Sequence, residues 1–135
     1  MSKVAVVYWS GTGNTEAMAE AVAGAAGADL FTAAEFDASK VNDYDAIAFG
    51  CPSMGSEELE ENEFQPMFDS VKDSLKGKRI ALFGSYGWGD GEWMRTWEDE
   101  CASLGAQIVS DSVICMETPD DDALASCRAL GEALK

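Results

Sequence analysis

The sequence of 135 residues contains no histidine. That absence removes Ser–His–Asp and Cys–His catalysis, any imidazole metal site, and the usual side chain for proton transfer near neutral pH. Cationic residues are scarce as well: nine Lys and Arg stand against 25 Asp and Glu, a formal net charge of −16. Neutralising phosphates takes clustered Lys and Arg, so nucleic acid and anionic lipid are excluded as partners. The four cysteines (Cys51, Cys101, Cys115 and Cys127) include no Cys-x-x-Cys pair. A zinc knuckle, an iron–sulfur ligand set and a thioredoxin-type dithiol are therefore unsupported, and no metal is expected. Separated cysteines fit reduced, buried small hydrophobes in a cytosolic setting. Long apolar runs are missing too. The block at residues 4–9 has six apolar residues, too few for a signal-peptide core or a membrane span. The expectation is a cytoplasmic protein with no membrane association.

What is present is ordinary globular composition, 47% hydrophobic and 25% charged, which argues against disorder and for one domain over 1–135. Short apolar runs alternate with longer helical ones. Strands are expected over 4–9, 29–32, 46–50, 80–85 and 108–114. The first and fourth are nearly continuous in apolar residues, as strands buried on both faces of a parallel sheet should be. The fifth carries Ser110, Asp111 and Ser112 and reads as an edge strand. Helices are expected over 15–25, with Met18, Ala21, Val22 and Ala25 on one stripe, over 64–75, over 92–104 and over 121–134. This alternation specifies an α/β fold with one five-stranded parallel sheet and helices on both faces. In such a sheet a ligand sits beyond the carboxyl ends of the strands. Three polar or glycine-rich loops follow strands at that edge: 10–15, 51–57 and 85–91.

The first loop reads Ser10-Gly11-Thr12-Gly13-Asn14-Thr15 and runs into a helix. Its glycines let backbone N–H groups turn inward, the hydroxyl and amide side chains add donors, and the helix N-terminus adds partial positive charge. A phosphate can be held there without a cation. The loop lacks the Lys-Ser/Thr ending of nucleoside triphosphate sites, and Glu16 replaces the third glycine of the dinucleotide fingerprint. Gly-Thr-Gly alone would equally describe a polar strand-to-helix turn; four donor side chains in six residues favour the phosphate.

The second loop is Cys51-Pro52-Ser53-Met54-Gly55-Ser56-Glu57 and the third is Ser85-Tyr86-Gly87-Trp88-Gly89-Asp90-Gly91. Trp88 has glycine on both sides, so no bulky neighbour covers its ring, and it suits a stacking wall. Met54, soft and polarisable, suits the opposite wall. The alternative is that Met54 fills a core gap and Trp88 covers the sheet end. Trp93 and Trp97, four apart on a helix, read as packing residues; Trp9, just before the first loop, could touch a ligand but reads first as packing.

These segments, from Tyr8 to Glu16, from Gly50 to Glu60 and from Phe83 to Met94, resemble the short-chain flavodoxins of anaerobic bacteria, and the resemblance spans essentially the whole chain. It implies a flavodoxin-like doubly wound sheet of strand order 2-1-3-4-5. It also implies a low-potential one-electron carrier, not an enzyme, that uses non-covalently bound FMN, shuttles between semiquinone and hydroquinone, and substitutes for ferredoxin. By motif match, Ser10, Thr12, Gly13, Asn14 and Thr15 would hold the phosphate, with Gly11 in the same cofactor loop, and Met54 and Trp88 would sandwich the isoalloxazine. Gly55 would turn its carbonyl to flavin N5–H, Glu57 would accept from N3–H, and Gly89 would offer its N–H near O2. Ser85 would lie beside the ribityl chain, with Pro52, Ser53, Ser56, Tyr86 and Gly87 completing the site. Some relatives carry serine where Pro52 stands, so that donor is missing or replaced here. Implied partners are ferredoxin- and flavodoxin-dependent oxidoreductases with basic docking surfaces, and the implied state is a monomer.

Gly55 can adopt positive φ at little cost, which suits a carbonyl that turns only when N5 carries a proton. Glu57, Glu58, Glu60, Glu61, Glu63, Asp90 and Glu92 flank the ligand edge, and no Lys or Arg occurs from 41 to 71. Taken singly, each acid reads as part of a solvated face. Together they should disfavour a negatively charged ring, making it a strong reductant, and steer basic partners. Lys72, Lys76, Lys78 and Arg79 fall at the opposite end of the fourth strand. The competing reading is an FMN-dependent quinone or nitro reductase, which would need a hydride donor and a substrate pocket over the ring. A phosphoacceptor receiver domain would need clustered aspartates at the strand ends, where this chain has Trp9 and Ser10 after the first strand and Cys51 after the third.

Overall fold

A computed structural model describes residues 3–54, 58–87 and 89–135. In chain order the elements are β1 (Val4–Tyr8), α1 (Asn14–Ala26), β2 (Asp29–Thr32), α2 (Ala38–Val41), β3 (Ala46–Gly50) and α3 (Phe64–Val71), then β4 (Arg79–Tyr86), α4 (Glu92–Ser103), β5 (Gln107–Ile108), β6 (Val113–Met116) and α5 (Asp121–Leu134). The strands run β2-β1-β3-β4-β5, with β6 also on β4, and every pairing is parallel. The expected order 2-1-3-4-5 holds. The expected fifth strand, however, is two short pieces in one edge position. Val109 N–H still reaches Ile80 O at 3.0 Å, but Ser110–Ser112 turn aside, and the Ser112 hydroxyl donates to Glu98 Oε2 at 2.6 Å. Polar side chains with partners off the sheet interrupt the ladder there.

Alternation along the buried strands divides the core in two. Ala5, Val7, Ile47, Phe49, Ile80 and Leu82 face α3 and α4, where Phe64, Phe68 and Trp97 fill the space edge to face, with ring centroids 5.4 Å apart for Phe64–Trp97 and 5.8 Å for Phe68–Trp97. On the other face Val4, Val6, Ala46, Ala48 and Ala81 meet α1 and α5. Those helices approach closely at Gly131, where a Cβ would fall 2.5 Å from Val22 O. The buried side of α1 is Met18, Ala19, Val22, Ala23 and Ala26, rotated from the expected stripe. A helix with alanine on most sides has no sharp apolar face, so packing against α5 selects it.

Helix α3 ends at Val71 and gives way to a 3-10 turn over Lys72–Ser74, earlier than the expected 75, although Leu75 remains buried. The one-turn helix α2 was not expected; Asp37 caps it by accepting from Ser39 N–H at 3.0 Å. Asp120 caps α5 by accepting from Ala123 N–H at 2.8 Å, and Arg79 donates to the Ala133, Leu134 and Lys135 carbonyls at the helix's far end. Cys51, Cys101 and Cys127 are buried thiols, and burial pushes Cys101 and Cys127 up to about 12. Among the described residues no helix is long and apolar enough to cross a membrane.

Candidate functional site

The carboxyl ends of β1, β3 and β4 bring the three loops together around a cleft of about 350 Å³. Trp9, Gly11, Thr12 and Asn14 line it from the first loop. Pro52, Ser53 and Met54 come from the second, and Ser85, Tyr86 and Gly87 from the third. No Lys or Arg is among the described residues that line it.

In the first loop, Gly13 at φ 92° starts α1 and its carbonyl accepts from Ala17 N–H. Gly13 N–H donates to Ser10 Oγ at 3.0 Å and Asn14 N–H to Thr12 Oγ1 at 3.5 Å, so the loop folds around its own hydroxyls. Beneath it, the buried hydroxyls of Thr15 and Ser85 are hydrogen-bonded at 3.0 Å, which ties the start of α1 to the end of β4. The Trp9 ring lies over Gly11, where a Cβ would meet it at 3.0 Å.

The second loop continues the sheet before leaving it. Cys51 N–H donates to Phe83 O at 3.1 Å and Ser53 N–H to Ser85 O at 3.0 Å. Trp93 Nε1–H donates to Cys51 O at 3.1 Å, and Gly84 makes this approach feasible because a Cβ there would sit 2.2 Å from that carbonyl. Met54 and Glu58 then form a two-bond antiparallel bridge, each bond 2.8 Å. Glu60 is 4% exposed, and its carboxylate accepts from the N–H groups of Asn62, Glu63 and Phe64 at 2.7–2.8 Å. Burial pushes that carboxyl up, but the three hydrogen bonds outweigh it and hold the group below the usual glutamate range. Burial pushes the neighbouring Cys51 thiol far above its ordinary value.

In the third loop, Tyr86 packs at a tilt on Trp93, centroids 5.5 Å apart, and Asp90 pairs with Arg95 at 3.0 Å. Glu117, at φ 59°, donates its N–H to Tyr86 O at 2.8 Å and joins the cleft wall. The Ser53 hydroxyl is buried without a hydrogen-bond partner among the described residues. A buried hydroxyl left unpaired in a cleft wall is a place where a ligand's polar group belongs.

The family model for flavodoxin matches residues 6–131. The chain belongs to the flavodoxin family. It is 48% identical to the flavodoxin of Megasphaera elsdenii and 40% identical to that of Clostridium beijerinckii, in each case over 96% of both chains. The solution structure of two-electron reduced Megasphaera elsdenii flavodoxin superposes with a TM-score of 0.89 at 43% identity, covering 97% of each chain. Flavodoxins bind FMN and carry electrons between redox partner proteins; they are not enzymes.

The residues present fit that group. The cleft offers an unpaired hydroxyl, a glycine loop with hydroxyl and backbone donors and no cation, and a wall of Met54 and Tyr86. Nine of the residues expected at a flavodoxin site (Gly11, Thr12, Asn14, Pro52, Ser53, Met54, Ser85, Tyr86 and Gly87) meet in this single cleft. Ser10 and Gly13 line an adjoining hollow of about 410 Å³ with Tyr8 and Glu16. Thr15 lies buried below the loop, bonded to Ser85. Gly89 is exposed at φ 84° and is not among the described lining residues. Gly55, Ser56, Glu57 and Trp88 lie outside the described residues.

Trp9, read first as packing with ligand contact left open, packs on Gly11 and also lines the cleft. Two features of the site escaped sequence reasoning. Glu117 follows the last strand, and its place at the sheet's carboxyl edge could have been counted from that strand. Glu60 stood among acids read as solvated, and nothing local marks it as the buried one.

Proposed function

We propose that this flavodoxin-family chain, acting as one unit over 1–135, holds FMN non-covalently in the cleft at the ends of β1, β3 and β4. In this reading it works as a low-potential carrier in place of ferredoxin. FMN, when bound, supplies the one-electron redox chemistry. Ser10, Thr12, Gly13, Asn14 and Thr15 hold the phosphate by hydroxyl groups and backbone N–H groups at the start of α1. An anion there takes over the Gly13 and Asn14 N–H groups that now bond to Ser10 and Thr12. By their motif positions Met54 and Trp88 would take the two ring faces, Ser53 and Ser85 would lie near the ribityl chain, Glu57 and Gly89 would hold the pyrimidine edge, and Gly55 would offer its carbonyl to flavin N5–H.

Exposed Glu58, Glu61, Glu63, Asp90 and Glu117 rim this end of the molecule, while Lys76 and Lys78 stand with the start of β4 at the other end. Negative charge around the site makes a further electron harder to add, so the reduced protein gives it up readily. The same field supports basic docking surfaces on the partners and a monomeric carrier, and the free thiols, three of them buried, support a cytoplasmic location.

The observation that carries the reading is a glycine and hydroxyl loop opening onto a cleft that, among the described residues, has no cation and leaves the Ser53 hydroxyl unpaired. Titration of FMN-free protein with FMN and with riboflavin, followed by flavin fluorescence, tests it. FMN should bind tighter by several kcal/mol, since hydrogen bonds to charge contribute about 1.5–3 kcal/mol each. Equal affinities would refute the phosphate site.

A further inference from the structure

Among the described residues Glu60 is the only buried carboxylate, and every polar group it has is committed. The side chain accepts from Asn62, Glu63 and Phe64 at the start of α3. The carbonyl accepts from Gln65 N–H at 2.8 Å. The backbone N–H points the other way and donates to Cys51 Sγ at 3.3 Å. Cys51 is itself immobilised at the end of β3: it is fully buried, its N–H is bonded to Phe83 O, and its carbonyl to Trp93 Nε1. Residue 60 thus staples the return of the second loop to the sheet on one side and to α3 on the other.

A local cap could not do the same. A side chain at position 63, the N-cap, would reach for the N–H of Gln65, already bonded to Glu60 O, and for that of Pro66, which has none; Glu63 makes no side-chain cap there. Capping from three residues upstream adds something a local cap lacks, because it fixes where the loop comes back. Met54 shows why that matters. It lines the cleft but is 37% exposed, so core packing does not set its place. Its position follows from backbone ties: Ser53 to Ser85 on the outgoing side, the bridge to Glu58, and the staple at Glu60.

We propose that Cys51 and Glu60 are positioning residues that hold Met54 against the bound ring without touching the ligand. The proposal rests on the FMN reading of the cleft. The buried thiol serves as a hydrogen-bond acceptor at the end of β3, and the buried carboxylate as a remote helix cap, the two joined by one backbone N–H.

The test uses the full chain with Cys51→Ala, Cys51→Ser and Glu60→Gln. In FMN-free protein, amide exchange at Met54 and Glu58 should quicken at least tenfold in Cys51→Ala, with β1 and β4 unchanged. Cys51→Ser, which keeps an acceptor, should recover most of that protection. Glu60→Gln, which keeps the Oε1 bonds and loses the one to Oε2, should fall between. FMN and riboflavin should both bind about tenfold more weakly to Cys51→Ala, leaving their ratio unchanged, because the loss is at the ring and not at the phosphate. Wild-type exchange at Met54 and Glu58, or wild-type flavin affinity, in Cys51→Ala overturns the proposal. Wild-type protein that binds no FMN overturns the parent reading instead.

Discussion

Replacing Glu60 with glutamine should expose a pH-dependent share of the fold's stability. The carboxylate accepts three N–H bonds while buried, and its pKa is lowered. Such a group contributes stability that is fully present above the ordinary glutamate pKa of about 4.3 and is lost as pH falls through the lower folded value. Glutamine forfeits the bond from Asn62 to Oε2 and turns the two at Oε1 from charge-assisted to neutral. With hydrogen bonds to charge at about 1.5–3 kcal/mol and neutral ones near half that strength, the loss at pH 7 should be about 3–6 kcal/mol. Urea unfolding of FMN-free wild-type and Glu60→Gln proteins from pH 7 to pH 3 measures it. Comparing the pair cancels the relief of self-repulsion that protonation brings to a chain of charge −16. The gap should be widest at neutral pH and narrow as pH falls below the ordinary glutamate value toward the lowered folded one. A gap that is absent at pH 7, or that widens with acid, would refute the reasoning.

Other consequences follow from the same contacts. Gly84→Ala should lose at least 2 kcal/mol in urea unfolding, because the new Cβ meets backbone, Cys51 O at 2.2 Å, which cannot swing away; a loss under about 0.5 kcal/mol would show that β3 and β4 part easily. Thr15→Val and Ser85→Ala should be strongly non-additive, with a coupling of about 1 kcal/mol in a double-mutant cycle, since either change alone strands a buried hydroxyl. Additive losses would mean that the pair is incidental. Association with a basic redox partner should slow as salt rises, given the exposed acids around the cleft; stopped-flow rates indifferent to ionic strength would rule out steering.

Much of the site was legible because its signals are local. Glycine and hydroxyl residues after a buried strand, at 10–15 and 85–91, mark where the backbone must turn, and strand–helix alternation places those turns at one sheet edge. Reading the 108–114 segment as a single strand missed its interruption, because Ser112 leaves the ladder for Glu98 on α4, a partner 14 positions away. The buried face of α1 was displaced for a similar reason: its alanines leave the choice to α5, which enters at Gly131.

The order of elements, the parallel sheet and the convergence of three loops were determined by the sequence, because periodicity and turn chemistry act within a few residues. Which acid among Glu58, Glu60, Glu61 and Glu63 is buried was decided only in three dimensions. A carboxylate leaves water only where donors replace it, and for Glu60 they come from the start of α3 while its N–H is taken by the end of β3. The same holds for Glu117 and Trp9 at the cleft, whose roles follow from what the sheet sets beside them.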